Sequence, residues 1–184
     1  EGTFLSVRID GIGYVLRIMM PKLFCDEDCP YRAWKKIELD VIMNHLIGKK
    51  PDCDDVIGAY PLFEDNTCRF LIFDFDNHEK DSYKNDDANT DELWKSEVDA
   101  LRRICKLNGI DALVERSRSG RGAHIWIFFG KPIKASLARS FGFALPDNGA
   151  LSVNMPSFKY YDRMYPSQDL LSKLGNLVAL PLQG

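Results

Sequence analysis

Phe70-Leu71-Ile72-Phe73-Asp74-Phe75-Asp76 is the stretch from which the fold is read. It is short, apolar and aromatic, the signature of a buried strand bounded by polar chain. Residues two apart on a strand share a face. Leu71, Phe73 and Phe75 are therefore expected to face covering helices, and Asp74 and Asp76 to emerge together on the other side at the strand end. Asn77 to Asn89 reads as a polar loop. Leu93 to Asn108 reads as a helix, with Trp94, Val98, Leu101 and Cys105 on one stripe and Gly109 as its stop. Ala112 to Glu115 is a second strand, Ser117 to Gly122 a turn, and His124 to Phe129 a third strand punctuated by Gly130 and Pro132. Lys134 to Leu145 reads as a second helix carrying Leu137, Ala138, Phe141 and Leu145. Pro146 to Gly175 reads as irregular, and Leu177 to Leu182 as the closing strand.

That order, β-α-β-β-α-β, predicts an α+β fold of the ferredoxin-like, RNA-recognition-motif-like kind. In such a sheet the third strand lies between the first and second, antiparallel to both. Asp74 and Asp76, the Ser117–His124 turn and the Tyr160–Gln168 loop are then expected to meet at one end of one sheet.

Upstream, Phe4 to Ile9 and Gly13 to Met19 read as strands, Pro21 to Pro30 as turn-rich, and Tyr31 to Ile47 as a helix with Trp34, Ile37 and Val41 on one side. Pro51 to Asp55 is polar and suggests a linker. The expected organisation is a small N-terminal αβ lobe over 1–55 and a catalytic core over 56–184, together one functional unit. With no initiator Met and no basic-apolar leader at its start, the chain reads as an excised fragment, and the cytoplasm is its expected compartment. No apolar run reaches the roughly 18 residues of a membrane span, so no membrane partner is expected.

The 184 residues are 45% hydrophobic and 28% charged, which excludes global disorder. The net charge of −3 makes no case for nucleic acid. Its distribution is more informative. Arg116, Arg118, Arg121, Lys131, Lys134 and Arg139 form a stretch with no acidic residue, suited to a nucleic-acid backbone, whereas Asp74 to Glu92 is dominated by carboxylates. Five cysteines without a secretion signal read as reduced thiols. Cys25 and Cys29 supply two of the four ligands that a structural zinc takes, and no second pair stands near them, so zinc is not the expectation there.

Three constellations carry chemistry. Asp74 and Asp76 offer hard oxygen ligands for divalent cations, although Asp-x-Asp alone also occurs in glycosyltransferases, phosphatases and ordinary loops. Ser117-Arg118-Ser119-Gly120-Arg121-Gly122-Ala123-His124 offers close backbone approach at its glycines, and hydroxyl, guanidinium and imidazole donors suited to phosphate. Tyr160-Tyr161-Asp162-Arg163 offers a third carboxylate beside an arginine, with Asp169 as a rival acid. His45 and His78 read as structural or solvated.

These residues, in this order, resemble the archaeo-eukaryotic primase superfamily. Its paired acidic motif is matched by Asp74-Phe75-Asp76, its Ser-x-His-type motif by Ser119 to His124, and its later single acid by Asp162. Tyr60-Pro61-Leu62-Phe63, Glu115 to His124 and Gly175 to Gln183 are similar to the CRISPR-associated and conflict-system primase-polymerases. The resemblance implies a DNA-directed primase and DNA polymerase of nucleotidyltransferase type. It would act on a single-stranded DNA template and primer with NTP or dNTP substrates, in DNA replication-like synthesis. It implies two magnesium or manganese ions on Asp74, Asp76 and Asp162. Arg118, Ser119, Gly120, Arg121, Gly122, His124 and Arg163 become nucleotide-binding residues, and CRISPR adaptation proteins become implied partners. The alternative is a non-catalytic RNA-recognition-like binding module that stacks bases on Trp126 and Phe128. A metal-dependent glycosyltransferase leaves the Ser119–His124 motif unexplained.

Overall fold

The structure, a computed structural model, describes residues 4–10, 13–19, 34–36, 39–47, 49–50, 53–54, 56–77, 88–117, 120–150, 159–171 and 176–182. In chain order the elements begin with β1 (Phe4–Asp10), β2 (Gly13–Met19), β3 (Trp34–Lys36), α1 (Leu39–Ile47), β4 (Lys49–Lys50), β5 (Cys53–Asp54) and β6 (Val56–Ala59). They continue with β7 (Thr67–Asp76), α2 (Ala88–Leu107), β8 (Ala112–Arg116), β9 (Gly122–Lys134), α3 (Ala135–Ala150), β10 (Tyr161–Tyr165) and β11 (Val178–Ala179). The chain is α+β, as expected. It divides into two compact units, residues 1–65 with 171–184, and residues 66–170.

The first unit is built on a five-stranded sheet in the order β11-β6-β1-β2-β3. β1 and β6 are parallel and the other pairs antiparallel. Buried His45 of α1 ties this unit together. Its Nε2–H donates to the Pro181 carbonyl at 2.9 Å, and its Nδ1 accepts the Ile57 N–H at 3.2 Å, which fixes the neutral tautomer. Two expectations are corrected here. Of the helix expected over 31–47, Leu39–Ile47 is helical. Trp34–Lys36 is a strand paired with Arg17 to Val15, because long-range pairing overrides a short helical stripe. The expected linker contributes β5, which pairs with β4 as a small hairpin.

The second unit is a four-stranded antiparallel sheet in the order β10-β7-β9-β8. One face packs on α2 and α3. Leu71, Phe73 and Phe75 of β7 join Val98, Leu101 and Ile104 of α2, Ile125 and Ile127 of β9, and Ala138 and Leu145 of α3 in one buried cluster. The sequence alternation of β7 produces this packing, since every second side chain is apolar and points to the helices. α2 ends where Gly109 adopts φ +68°. The Gly109 and Ile110 N–H groups then bond back to Lys106 and Cys105, a paired cap that needs the left-handed conformation.

The fourth strand of this sheet is the main correction. It is Tyr161–Tyr165, inside the stretch expected to be irregular. The expected closing strand, Leu177–Leu182, supplies β11, which pairs with β6 in the first unit instead. β9 is also longer than expected. Gly130 and Pro132 do not end it. They lie where β9 steps away from β7, between the Phe70–Phe128 and Cys68–Ile133 pairs, so no ladder bond is asked of the proline. Cys25, Cys29, Arg118, Ser119 and His78 lie outside the described residues. No helix among the described residues is long and apolar enough to cross a membrane.

Candidate functional site

The site is built at the end of β7, on the sheet face away from the helices. Four ionisable side chains stand in one row across the four strands. Arg163 of β10 is in register with Asp74 of β7, Asp74 with His124 of β9, and His124 with Glu115 of β8. Directly opposite residues in antiparallel strands bring their Cβ atoms to roughly 5 Å, so each neighbour can pair with the next. His124 Nε2 lies 3.5 Å from Asp74 Oδ1, and its Nδ1 lies 3.2 Å from Glu115 Oε2. The same Glu115 oxygen accepts the Trp126 indole N–H at 2.9 Å. Burial works against charge on His124, but its hydrogen bonds to Asp74 and Glu115 and their negative charges outweigh it and push the imidazole up to about 9. The ring is therefore a cation at neutral pH.

Asp76, one step further along, is in register with Gly122. A Cβ on Gly122 would stand 2.0 Å from the Phe75 carbonyl oxygen, so only glycine lets β9 approach β7 here. This gives Gly122 a packing role that its place in a phosphate-suited motif did not suggest. The end of β7 is then pinned from both sides. The Asp76 N–H donates to the Tyr160 carbonyl at 2.8 Å, and the Asn77 N–H to the Arg121 carbonyl at 3.2 Å. In the turn, Gly120 has φ +73°, and its carbonyl accepts Nε and Nη2 of Arg116 at 3.0 and 2.8 Å. The Arg116 guanidinium, read from sequence as part of a basic stretch suited to a nucleic-acid backbone, thus braces the turn. Arg121 is exposed.

Asp162 enters through a β-bulge. Tyr161 pairs with Phe75 and Arg163 with Asp74, which leaves Asp162 as the extra residue on β10. The bulge puts Tyr161 and Met164 on the helix face while Arg163 stands beside Asp74 on the other. Re-aiming a side chain is what a bulge does at the rim of a site. Arg163 Nε donates to Asp162 Oδ2 at 2.6 Å. That hydrogen bond, then the Asp162 charge, and more weakly the charge of Asp74, raise the guanidinium above its ordinary value. Tyr165 is raised first by burial, then by the charge of Asp74, and also by that of Asp162, so both acids act on one hydroxyl. The rival acid, Asp169, is engaged elsewhere: Arg139 Nη1 donates to its Oδ1 at 2.6 Å.

Trp126, expected as a stacking platform in the binding-module alternative, is only 3% exposed and hydrogen-bonded to Glu115. Phe128, 56% exposed, is the only aromatic of that expected pair open to solvent. Glu115 is the residue that the reading of the motifs overlooked. Its signal was present, because a hairpin closing on Ser117 and Gly122 necessarily sets Glu115 against His124.

Residues 14–184 match the archaeo-eukaryotic primase domain of TOTE conflict systems. The chain belongs to that family. This primase-domain chain is accordingly placed among the primase-like nucleotidyltransferases, whose ligands are nucleic acid and nucleoside triphosphates. The match is to the conflict-system branch, and CRISPR adaptation partners draw no support from it. No curated protein matches the sequence. The donor chemistry of the site fits the divalent cations on which the family relies, since Asp74, Asp76 and Asp162 carry hard carboxylate oxygens on neighbouring strands. Among the described residues, no three His, Cys, Asp or Glu side chains converge closely enough to hold an ion as they stand. His124 pairs with Asp74, and Arg163 with Asp162.

Proposed function

We propose that this chain is a template-directed primase-polymerase that initiates or extends a strand on a DNA template. The second unit is read as its RNA-recognition-motif-like, ferredoxin-like βαββαβ catalytic core, within the 56–184 stretch, with 1–55 as a smaller αβ lobe. The strand order β10-β7-β9-β8, with both helices packed on one face, supports that reading. The observation that carries the function is the register that sets Asp74 between His124 and Arg163, with Asp162 in the adjoining bulge.

Asp74, Asp76 and Asp162 would hold magnesium or manganese. When bound, two such ions activate the attacking 3′-hydroxyl and neutralise the departing pyrophosphate. The residues of the chain supply position and charge, which is most of what phosphoryl transfer asks of a protein. Glu115 holds His124 through Nδ1, so the opposite nitrogen is aimed at the Asp74 end, where it can donate to a triphosphate oxygen. The backbone of Gly120 to Gly122 with Ser119, Arg118 and Arg121 would cradle the rest of the triphosphate. Arg163 would offset charge once a cation takes its place on Asp162.

The test is primer-free incubation with single-stranded DNA template, Mn²⁺ and labelled nucleotides, using ribo- and deoxyribonucleotides in parallel. Template-dependent product is expected from the wild type and none from a variant carrying Asp74→Ala and Asp76→Ala. Full incorporation by that double variant overturns the assignment.

A further inference from the structure

Glu97 is a carboxylate in the middle of α2, on its buried side and only 3% exposed. Burial raises its pKa and its hydrogen bonds oppose that rise. Such a group is costly to keep charged unless both oxygens are satisfied. Both are, by backbone. Oε1 accepts the Lys159 N–H at 2.8 Å and Oε2 accepts the Tyr160 N–H at 3.0 Å. These two amides immediately precede β10, so the carboxylate grips the chain where it enters the sheet.

Tyr160 carries that grip onward. Its N–H is held by Glu97, while its carbonyl accepts the Asp76 N–H at 2.8 Å. Tyr161 then pairs with Phe75, and Asp162 follows as the bulged residue. One buried side chain on a helix is therefore linked through a single residue to the backbone of Asp76, and by two further residues to Asp162.

We infer that Glu97 is a positioning residue, which fixes the start of β10 against the end of β7 and so sets the separation of Asp162 from Asp74 and Asp76. This rests on the function proposed above for those three acids. The pairing with β7 and the contacts of Tyr161 with Phe73 and Phe75 also hold β10, but the Glu97 bonds fix the two residues that lead into it, ahead of the bulge. Charge-assisted bonds to backbone N–H groups are also stronger than neutral ones.

The test uses Glu97→Gln, which keeps the size but sets an amide NH₂ against one of the two backbone donors. Ile104→Val, a core change about two turns further along the same helix that leaves both Glu97 hydrogen bonds in place, serves as the control for general destabilisation. Hydrogen exchange in the metal-free protein is read first. Exchange should accelerate on the order of 10-fold or more at Lys159 and Tyr160, and also at Asp76, the loss expected for bonds to a charged group. Mn²⁺ affinity, read by electron paramagnetic resonance of the free ion, should fall roughly 10- to 100-fold, as when an outer support of a metal site is removed. The control should move neither readout beyond its effect on the melting temperature. If the Gln variant does not fold, Glu97→Asp keeps the charge on a shorter arm, and the same direction of change is expected. Unchanged exchange at Asp76, or Mn²⁺ affinity no lower than in Ile104→Val, overturns the inference. Wild-type protein that binds no Mn²⁺ and adds no nucleotide removes the proposed function instead, and exchange at Asp76 still decides whether Glu97 positions the strand.

Discussion

Alternate residues of β7 meet opposite environments. Leu71, Phe73 and Phe75 are sealed against α2 and α3, while Asp74 and Asp76, interleaved with them, reach solvent on the other face. That second face is itself divided along its length. Ile72, on the same side as the aspartates, is 0% exposed, and Trp126 beside it is also buried. The helix face is therefore uniform and sets stability. The other face changes from apolar to ionic over two residues, and only its last turn of strand is available for chemistry.

The sharpest break in this comparison comes from exchanging the roles of neighbours. Asp74→Ala with Asp76→Ala is expected to abolish nucleotide addition, and to lower the denaturation midpoint only by the loss of the Asp74–His124 pair. Phe73→Ala should cost about 3–5 kcal/mol of stability, the usual range for emptying an aromatic site in a core, yet leave activity per folded molecule nearly intact. Denaturant titration and an incorporation assay on the same samples separate the two. Equal stability losses would erase the distinction between the faces.

Gly122→Ala is expected next. Its new methyl would meet the Phe75 carbonyl, so β9 must shift where the two faces join. Overpacking of this kind costs roughly 1–3 kcal/mol. Because the shift falls at Asp76 and His124, activity should drop along with the melting temperature. A variant as active and stable as the wild type would show that the strands do not approach so closely.

The acids after β10 sharpen the comparison on the chemical side alone. Asp162→Ala should remove catalysis. Asp169→Ala should mostly spare it, since that carboxylate is bound to Arg139. Single-turnover incorporation with Mn²⁺ reads both. The reverse pattern would move the third acid to Asp169.

The smallest effects concern His124. His124→Ala should weaken nucleotide binding by about 1.5–3 kcal/mol, the value of one bond involving a charged group, and leave duplex affinity nearly unchanged. Its ring should titrate near 9 in the metal-free protein, by NMR. A folded-state value above the ordinary 6.5 means that the folded protein holds the proton more tightly. The stabilisation is therefore complete below about pH 6.5 and is lost as the pH rises through about 9. Glu115→Gln should lower the ring's value, and a ring that titrates normally in the wild type would contradict the pairing across the row.

Much of this was legible along the chain. The parity of β7 placed Asp74 and Asp76 together opposite Leu71, Phe73 and Phe75, and Trp94, Val98, Leu101 and Cys105 with Gly109 marked α2 and its end. These are properties of one continuous segment, governed by strand and helix periods and by a glycine's freedom at positive φ. Pairings between remote segments were not legible in the same way. Trp34–Lys36 read as helix because nothing local revealed its partner β2, and Tyr161–Tyr165 read as irregular because its bulge breaks the alternation that identifies a strand. By itself the sequence determined which residue types the site contains and which face of β7 carries them. Only the tertiary structure decided that Arg163, Asp74, His124 and Glu115 align in one row and that a carboxylate from α2 grips the entry to β10. Register and bulges depend on contacts between segments far apart in the chain, and no local period encodes them.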